Sequence, residues 1–407
     1  MSSYTNFLIR EIPKDWKTVP LGKYVNISSG DSPSLINFKN FGTPYFKVEQ
    51  LNNSKKYLGV FSTPYYFSGG KTVSANSVIF PKRGAAIALN KIRILETESF
   101  MDTNLMTLTA KNGLDFEFLY YQILYLKLWR FADTASVPQI NNKHINPLLF
   151  VLPKISEQRS IAEILRDVDL LISIIDKLIT KKKNLKRAII HQLLSGKTRL
   201  KGFSKSWRTT TIKEISNIYK GNGLSKTLTK SSGLRACVLY GELFTTYEKV
   251  IIQVISKTDS NQGFMSEAGD ILMPSSTTTT GIDLATASAL LVKDVALGGD
   301  IIVIRRKTKN DYDPVFLTYY LSYIKRREIA EMTQGTTIHH LYGSAINNLL
   351  IEIPTDIKEQ ESISKILLDI EEELLLLKSQ LKKVLNLKNA ITYKLLTGKV
   401  RLLKNKK

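Results

Sequence analysis

Cysteine is nearly absent from the 407-residue chain: Cys237 stands alone, which excludes intramolecular disulfides and cysteine-rich zinc sites and fits a reducing cytoplasm. Histidine is scarce too. The four residues at 144, 191, 339 and 340 show no metal-ligand spacing with that cysteine, and His339–His340 reads as a turn or groove position. No apolar run approaches the roughly 20 residues of a membrane span. The opening MSSYTNFLIREIPKDW carries no apolar h-region, so no secretory signal is expected. There is no Walker A lysine motif and no GxGxxG. Asn146-Pro147-Leu148-Leu149-Phe150 lacks the second proline of an Asn-Pro-Pro-aromatic methyltransferase loop and reads as structural. Asp356 and Lys358 fall at the start of a repeated helix and make no nuclease constellation. Acidic residues are in deficit, 36 against 58 Lys and Arg, which leaves a net charge of +22 and a pI near 9.7. Such an excess suits a polyanionic partner. Nucleic acid is the first reading, an anionic membrane surface the second and a solubilising charge the third. The 43% apolar share and a mean hydropathy of −0.09 fit a globular protein of two or three domains, at about 150 residues each.

What is present in excess is repetition. Residues 157–200 align without a gap to 359–402, an offset of 202. The shared positions include Glu157/Glu359, Gln158/Gln360, Ile161/Ile363, Leu165/Leu367, Gly196/Gly398 and Arg199/Arg401. Weaker echoes precede them. The stretch at Trp16 resembles that at Trp207, SVIFP (77–81) resembles DILMP (270–274), and FLYYQIL (118–124) resembles FLTYYLSY (316–323). The stretch ending at Pro153 likewise resembles the one ending at Pro354. The chain therefore reads as a duplicated unit of about 200 residues, variable domain followed by long helix.

In the second helix Ile363, Leu367, Ile370, Leu374, Leu377, Leu381 and Val384 alternate steps of four and three. Ile161, Leu165, Val168, Ile172, Ile175 and Ile179 do the same in the first, a coiled-coil seam. It is expected to continue through Leu185, Ile189 and Leu193 and through Leu387, Ile391 and Leu395. No Pro or Gly interrupts either helix, and Gly196 and Gly398 are natural stops. About 38 residues would span about 57 Å. Each apolar stripe needs a partner, and the obvious one is its own copy. Strands are expected at 44–48, 77–80, 105–109, 237–240, 270–273 and 301–305, and short helices at 116–128 and 314–324 with core tyrosines. Ser275–Thr280 reads as a loop.

Two variable domains alternating with two helices that open on Pro-x(3–4)-Glu-Gln and close on Leu-Leu-[Ser/Thr]-Gly-Lys-x-Arg-Leu resemble the specificity subunit of type I restriction–modification systems. The resemblance covers nearly the whole chain. Pro81-Lys82-Arg83-Gly84-Ala85-Ala86-Ile87-Ala88-Leu89-Asn90-Lys91-Ile92 also resembles the strand–Arg-Gly-Ala–strand stretch of the family's target recognition domains. The second half departs there, with Pro274-Ser275-Ser276-Thr277 running on to Ala285. The family's Gly-Ser/Thr turn is Gly335-Thr336-Thr337 in the second copy and Thr134-Ala135-Ser136, without glycine, in the first.

The resemblance implies an α+β chain with target recognition domains at 1–153 and 202–354 and repeated helices at 154–201 and 355–407. The helices would pair as an antiparallel coiled coil in a pseudo-twofold duplication. Each domain would read half of a bipartite, asymmetric site in double-stranded DNA, and the coil would set the distance between halves. Two modification (methyltransferase) subunits would bring S-adenosylmethionine and adenine methylation, and two restriction subunits translocation and cleavage. This chain would be non-catalytic, cytoplasmic and free of cofactor. From charge, candidate phosphate contacts are Lys47, Lys82, Arg83 and Lys91, then Lys220, Lys226, Lys230 and Arg235. From the fit of forked and amide groups to base edges, the candidate readers are Arg83, Asn90 and Gln139, then Arg235 and Thr277, Thr278 and Thr279. For each of these a solvated surface position is the alternative. The mid-helix cluster Lys181, Lys182, Lys183, Lys186 and Arg187 is open to three readings: solvated face, DNA backbone contact, or contact with an acidic partner surface. Two rival functions are a stand-alone architectural DNA-binding protein and a coiled-coil adaptor that binds no DNA.

Overall fold

The computed structural model describes residues 12–134 and 137–402, so the opening segment and Ala135-Ser136 of the expected first-copy turn lie outside the described residues. The chain divides into two compact units. One takes Met1–Asp176 and Ser379–Lys407, the other Lys177–Lys378. Each unit thus combines one variable domain with a stretch of both long helices.

In the first unit a five-stranded sheet runs in the order Val25–Ser29, Leu105–Ala110, Val78–Pro81, Arg93–Leu95, Tyr57–Leu58. All neighbours are antiparallel except the last pair, which is parallel. The central strand is buried at every residue because both faces of the sheet are covered. Val78 and Phe80 face the core built with the helix Phe116–Leu126, and Ile79 faces a second core with Phe46, Leu51 and Leu95. In the second unit the order Ser216–Lys220, Ile301–Arg306, Asp270–Pro274, Ser288–Leu290, Val250–Ile251 recurs with the same strand senses. Ile271 and Met273 again face one core and Leu272 another.

Several expected elements shift. The strand expected at 237–240 is Arg235–Val238, because the chain turns at Leu239 into the helical turn Glu242–Thr245. The strand expected at 44–48 is Thr43–Phe46. The helix expected at 116–128 stops at Leu126, where Lys127 takes a left-handed φ of 57°. Its counterpart is Pro314–Tyr319, followed by a wider turn at Tyr320–Ile324. Tyr120, Tyr121, Tyr319 and Tyr320 are buried core residues. The run Ser275–Thr280 is not a plain loop. Ser275, Ser276 and Thr277 are buried, and Ser276–Thr277 pairs with His339–His340.

The long helices, Ile155–Leu194 and Ile357–Leu396, have 40 residues each, about 60 Å at 1.5 Å per residue. Gly196 (φ +68°) and Gly398 (φ +72°) take the left-handed conformation just past their ends. In the first unit Ile161 and Leu165 share a core with Leu395 and Leu396. In the second, Leu193 and Leu194 share one with Ile363 and Leu367. Leu185 and Leu387, expected in the seam, are instead exposed, at 47% and 52%. The unbroken four–three alternation reaches Lys186 and Lys388, one residue on. Lys388 meets Asp169 at 2.6 Å and Lys186 meets Glu371. A lysine stem lies along the apolar stripe while its ammonium finds a carboxylate, so hydrophobicity alone selects the wrong neighbour.

The repeated Glu-Gln and Gly-Lys-x-Arg motifs meet in each unit. Glu157 accepts from Arg401 Nε at 2.8 Å and Nη2 at 3.0 Å and from the Trp16 indole at 3.0 Å. Glu359 accepts from Arg199 Nε and Nη2, both at 2.6 Å. Gln158 accepts from the Asp115 amide and donates to the Gly113 and Pro153 carbonyls. Gln360 accepts from the Asp313 amide and donates to the Pro354 carbonyl. The motif that opens each helix thus fixes the domain before it to the tail of the other helix.

Candidate nucleic-acid interface

Beyond the central strand of each domain the chain stays extended and lies against a segment about 60 residues further on. In the first domain the Lys82 amide donates to the Asn104 carbonyl at 2.8 Å, and the Lys82 carbonyl accepts from Ile140 at 2.8 Å. Arg83 bridges Gln139 backbone to backbone, and the Gly84 amide donates to Pro138 at 2.8 Å. A Cβ on Gly84 would meet nothing within 4 Å, so glycine is required there by its φ of +79° and not by crowding. In the second domain the Ser275 amide donates to Asp300 at 2.8 Å and its carbonyl accepts from Leu341 at 2.9 Å. Ser276 then pairs with His340 and Thr277 with His339. Gln334 and His340 exchange backbone bonds of 2.9 and 2.7 Å across the turn at Gly335, whose φ is +104°. The two ribbons correspond position by position: Lys82 to Ser275, Arg83 to Ser276, Gln139 to His340.

The ribbons differ in chemistry. Arg83 is exposed and Gln139 half-buried. The Lys82 ammonium donates to Ser29 Oγ at 2.8 Å, and burial holds its pKa below the usual lysine value. In the second domain Thr277 Oγ1 lies 2.9 Å from Thr279 Oγ1, and Thr279 and Thr280 hydroxyls donate to Asp283 at 2.6 and 2.8 Å. Those hydroxyl bonds keep the Asp283 carboxyl below its usual range. Thr278 is exposed. Thr277, Thr278, Thr279 and His340 line a cavity of about 890 Å³ together with Tyr240 and Asp300.

Lys82, Arg83 and Gln139 therefore lie together, as do Thr277, Thr278 and Thr279, while the other candidates lie elsewhere. The Lys47 ammonium sits 3.6 Å from the Tyr65 ring centre and 5.1 Å from that of Phe38. Lys91 reaches the Asn52 side chain at the end of the turn that Lys47 precedes. Asn90 is built into the fold. Its φ is 48°, it closes the turn Ala85–Leu89, and its amide donates to the Leu124 carbonyl at 3.0 Å. Lys220 and Lys226 are exposed. Lys230 meets Asp259 at 2.9 Å, and the Arg235 guanidinium donates to the Ser260 carbonyl and Met265 Sδ, each at 2.8 Å. His340 was not among the expected site residues. The alignment of Val137-Pro138-Gln139-Ile140 with Ile338-His339-His340-Leu341 already places it opposite Gln139.

Among the described residues, no group of three or more His, Cys, Asp or Glu could hold a metal ion. Among the same residues, no helix is long and apolar enough to cross a membrane.

The family model for the type I restriction modification DNA specificity domain matches this chain twice, over residues 13–187 and 204–387. The chain belongs to that family. Among its relatives is the type I restriction enzyme MjaVIII specificity subunit of Methanocaldococcus jannaschii, 22% identical, with 96% of this chain and 94% of the relative covered. A putative MjaX specificity subunit of the same organism is 23% identical, with 97% and 95% covered. The type I restriction–modification S subunit structure from M. genitalium superposes with a TM-score of 0.60 at 17% identity, over 95% of this chain and 97% of that one. A specificity subunit from Thermoanaerobacter tengcongensis gives 0.50 at 16%, over 96% and 99%. Specificity subunits are the DNA-recognition components of type I systems and carry no catalysis themselves, so the ribbons described here belong to a recognition protein.

Proposed function

We propose that this specificity subunit reads a bipartite, asymmetric site in duplex DNA, one half with each domain, and that it does so in the cytoplasm. The observation that carries this reading is the pair of corresponding ribbons with unlike side chains. A cation and an amide (Arg83, Gln139) stand in one, hydroxyls and imidazoles (Ser276, Thr277, His339, His340) in the other. The same backbone frame offering different donors and acceptors suits two different half-sites. Lys82, Lys220 and Lys226 suit phosphate contacts that position rather than specify.

The long helices form an antiparallel coiled coil that spaces the two halves. The matched pairs Lys388–Asp169 and Lys186–Glu371, and the cores that join the start of one helix to the end of the other, support this arrangement. On the same helices Ile174 and Leu376, and Leu185 and Leu387, are equivalent repeat positions and all exposed. Apolar residues left uncovered in duplicate suit two copies of a modification subunit, with restriction subunits joining them. The test is co-expression with a modification subunit, followed by mapping of methylated sites and gel shifts across a salt series. A split methylated motif, and affinity that falls linearly on a log–log salt plot, are expected. Methylation of a continuous motif, or salt-independent binding, overturns the reading.

A further inference from the structure

The duplicated fold allows a residue-by-residue comparison of its copies, and at one place they part. Lys56 precedes the strand Tyr57–Leu58, and its carbonyl accepts from Ile94 at 2.8 Å. Lys249 precedes Val250–Ile251, and its carbonyl accepts from Ala289 at 2.9 Å. The two lysines are equivalent. In the first unit the charge is neutralised: Lys56 meets Glu117 at 2.7 Å and the Tyr121 hydroxyl at 3.0 Å. Glu117 also receives Arg166 at 2.9 Å. Burial alone would raise the Glu117 pKa, but hydrogen bonds from Lys56 and Tyr57 and the nearby cations hold it below the usual range.

Glu117 stands two residues after the helix cap Asp115. Two residues after the equivalent cap, Asp313, the second unit has Val315. Arg166 corresponds to Leu368 through the 202-residue offset of the helices. The second unit therefore keeps the half-buried lysine and has no counterpart of the Glu117 carboxylate. Among the described contacts, the Lys249 ammonium reaches only the Ala287 carbonyl, at a long 3.4 Å. Burial, and then Arg326, pull its pKa down to about 8.

Beside Lys249 is a cavity of about 800 Å³, which Leu368, the counterpart of Arg166, also lines. Lys249, Lys183, Arg187, Arg326 and Lys378 line it. Of its three carboxylates, Glu371 is taken by Lys186 and Tyr319, and Glu248 and Glu372 are exposed. Tyr323, Ile252 and Leu375 add partly exposed apolar wall.

We infer that this cavity is a binding site for a phosphate group, whose charge would answer Lys249 as Glu117 answers Lys56 in the first unit. A phosphate carries about −1.5 to −2 charges and three acceptor oxygens, which suits several converging cations better than one carboxylate does. The space exceeds a bare phosphate, so the group is carried on a larger body. Two sources offer anionic phosphate oxygens: a free phosphorylated small molecule, a monoester with that charge, and the backbone of bound DNA, a diester with one negative charge per phosphate.

The test uses the full chain and inorganic phosphate at constant ionic strength, by calorimetry and thermal melting. At ten times its Kd, phosphate should raise the melting temperature by roughly 3–5 °C. Val315→Glu rebuilds the internal pair and should weaken phosphate binding at least tenfold while the protein stays folded. Lys249→Met should weaken it equally, and Lys56→Met in the other unit should not. Duplex DNA is then added as competitor. Loss of phosphate binding assigns the site to the DNA backbone, and its persistence assigns it to a free ligand. No phosphate binding by the parent chain, or binding unaltered in both Val315→Glu and Lys249→Met, overturns the proposal, whatever DNA the domains recognise.

Discussion

Glu157 is buried, yet it receives a guanidinium and an indole in one arrangement. Burial would raise its pKa, but the hydrogen bonds from Arg401 and Trp16 and the Arg401 charge outweigh that and hold it below the usual carboxylate range. A depressed carboxylate pKa contributes stability above the unfolded value, roughly 4.3, and that stability is lost as pH falls through the folded value. Glu157→Gln should therefore cost about 2 kcal/mol at pH 7. The gap to the parent protein should close as pH drops below about 4. Unfolding curves at pH 7, 5 and 3.5 check this, and a gap that stays constant would show that the charge is not what matters. Among the candidate interface residues, Asn90 is bonded within the fold and Lys226 is exposed. Asn90→Ala removes a half-buried amide bond at a left-handed position and should lower stability by about 1–2 kcal/mol. It should leave the recognised sequence unchanged. Lys226→Ala should do the reverse: stability holds, DNA affinity falls alike on all sequences, and the salt slope drops by about 1. Melting curves beside salt-titrated gel shifts measure both.

At the scale of elements, the long helices were the most legible part of the chain, since a gapless repeat and a four–three alternation fix both their extent and their apolar face. What hydrophobicity could not show is that the alternation passes through Lys186 and Lys388 instead of the leucines beside them. That choice depends on Glu371 and Asp169, which lie about 200 residues away in sequence and also accept from Tyr319 and Tyr121 at 2.7 and 2.8 Å. The strand Ser276–Thr277 was hidden for the same reason. The Ser/Thr run around it looks like a loop until His339–His340 lies alongside, and the site is legible only as far as such long-range pairings can be foreseen. The seam pairs make a direct prediction. Lys186→Glu places two carboxylates together and should destabilise the second unit by about 1–3 kcal/mol, and adding Glu371→Lys should recover most of the loss. A double-mutant cycle in denaturant measures the coupling; if the double variant is as unstable as the sum of the single ones, the pair fixes nothing.

At the scale of the molecule, each unit has its own cores, so one domain should be exchangeable without disturbing the reading of the other half-site. The structure also says where the cuts must fall. Lys17–Pro20 pairs antiparallel with Leu149–Leu152 along its whole length, and Trp207–Thr211 pairs likewise with Leu350–Pro354. A domain is thus closed by a strand from each of its ends, and its far end is held to the helix by Gln158 through Gly113, Asp115 and Pro153. Replacing 16–153 with the matching region of a relative keeps the strand pair within one sequence and leaves the Glu-Gln frame untouched. Replacing only 16–135 forces a foreign strand against Leu149–Leu152, where Phe150, Val151 and Leu152 are buried, and should give a less stable chimera. The longer exchange should change one half of the methylated motif and preserve the other, together with the spacing between them. Mapping methylated sites for both chimeras, beside their melting temperatures, decides it. If the long exchange alters both halves, the two domains do not read independently. If the short one is as stable as the long, the closing strands do not define the domain boundary.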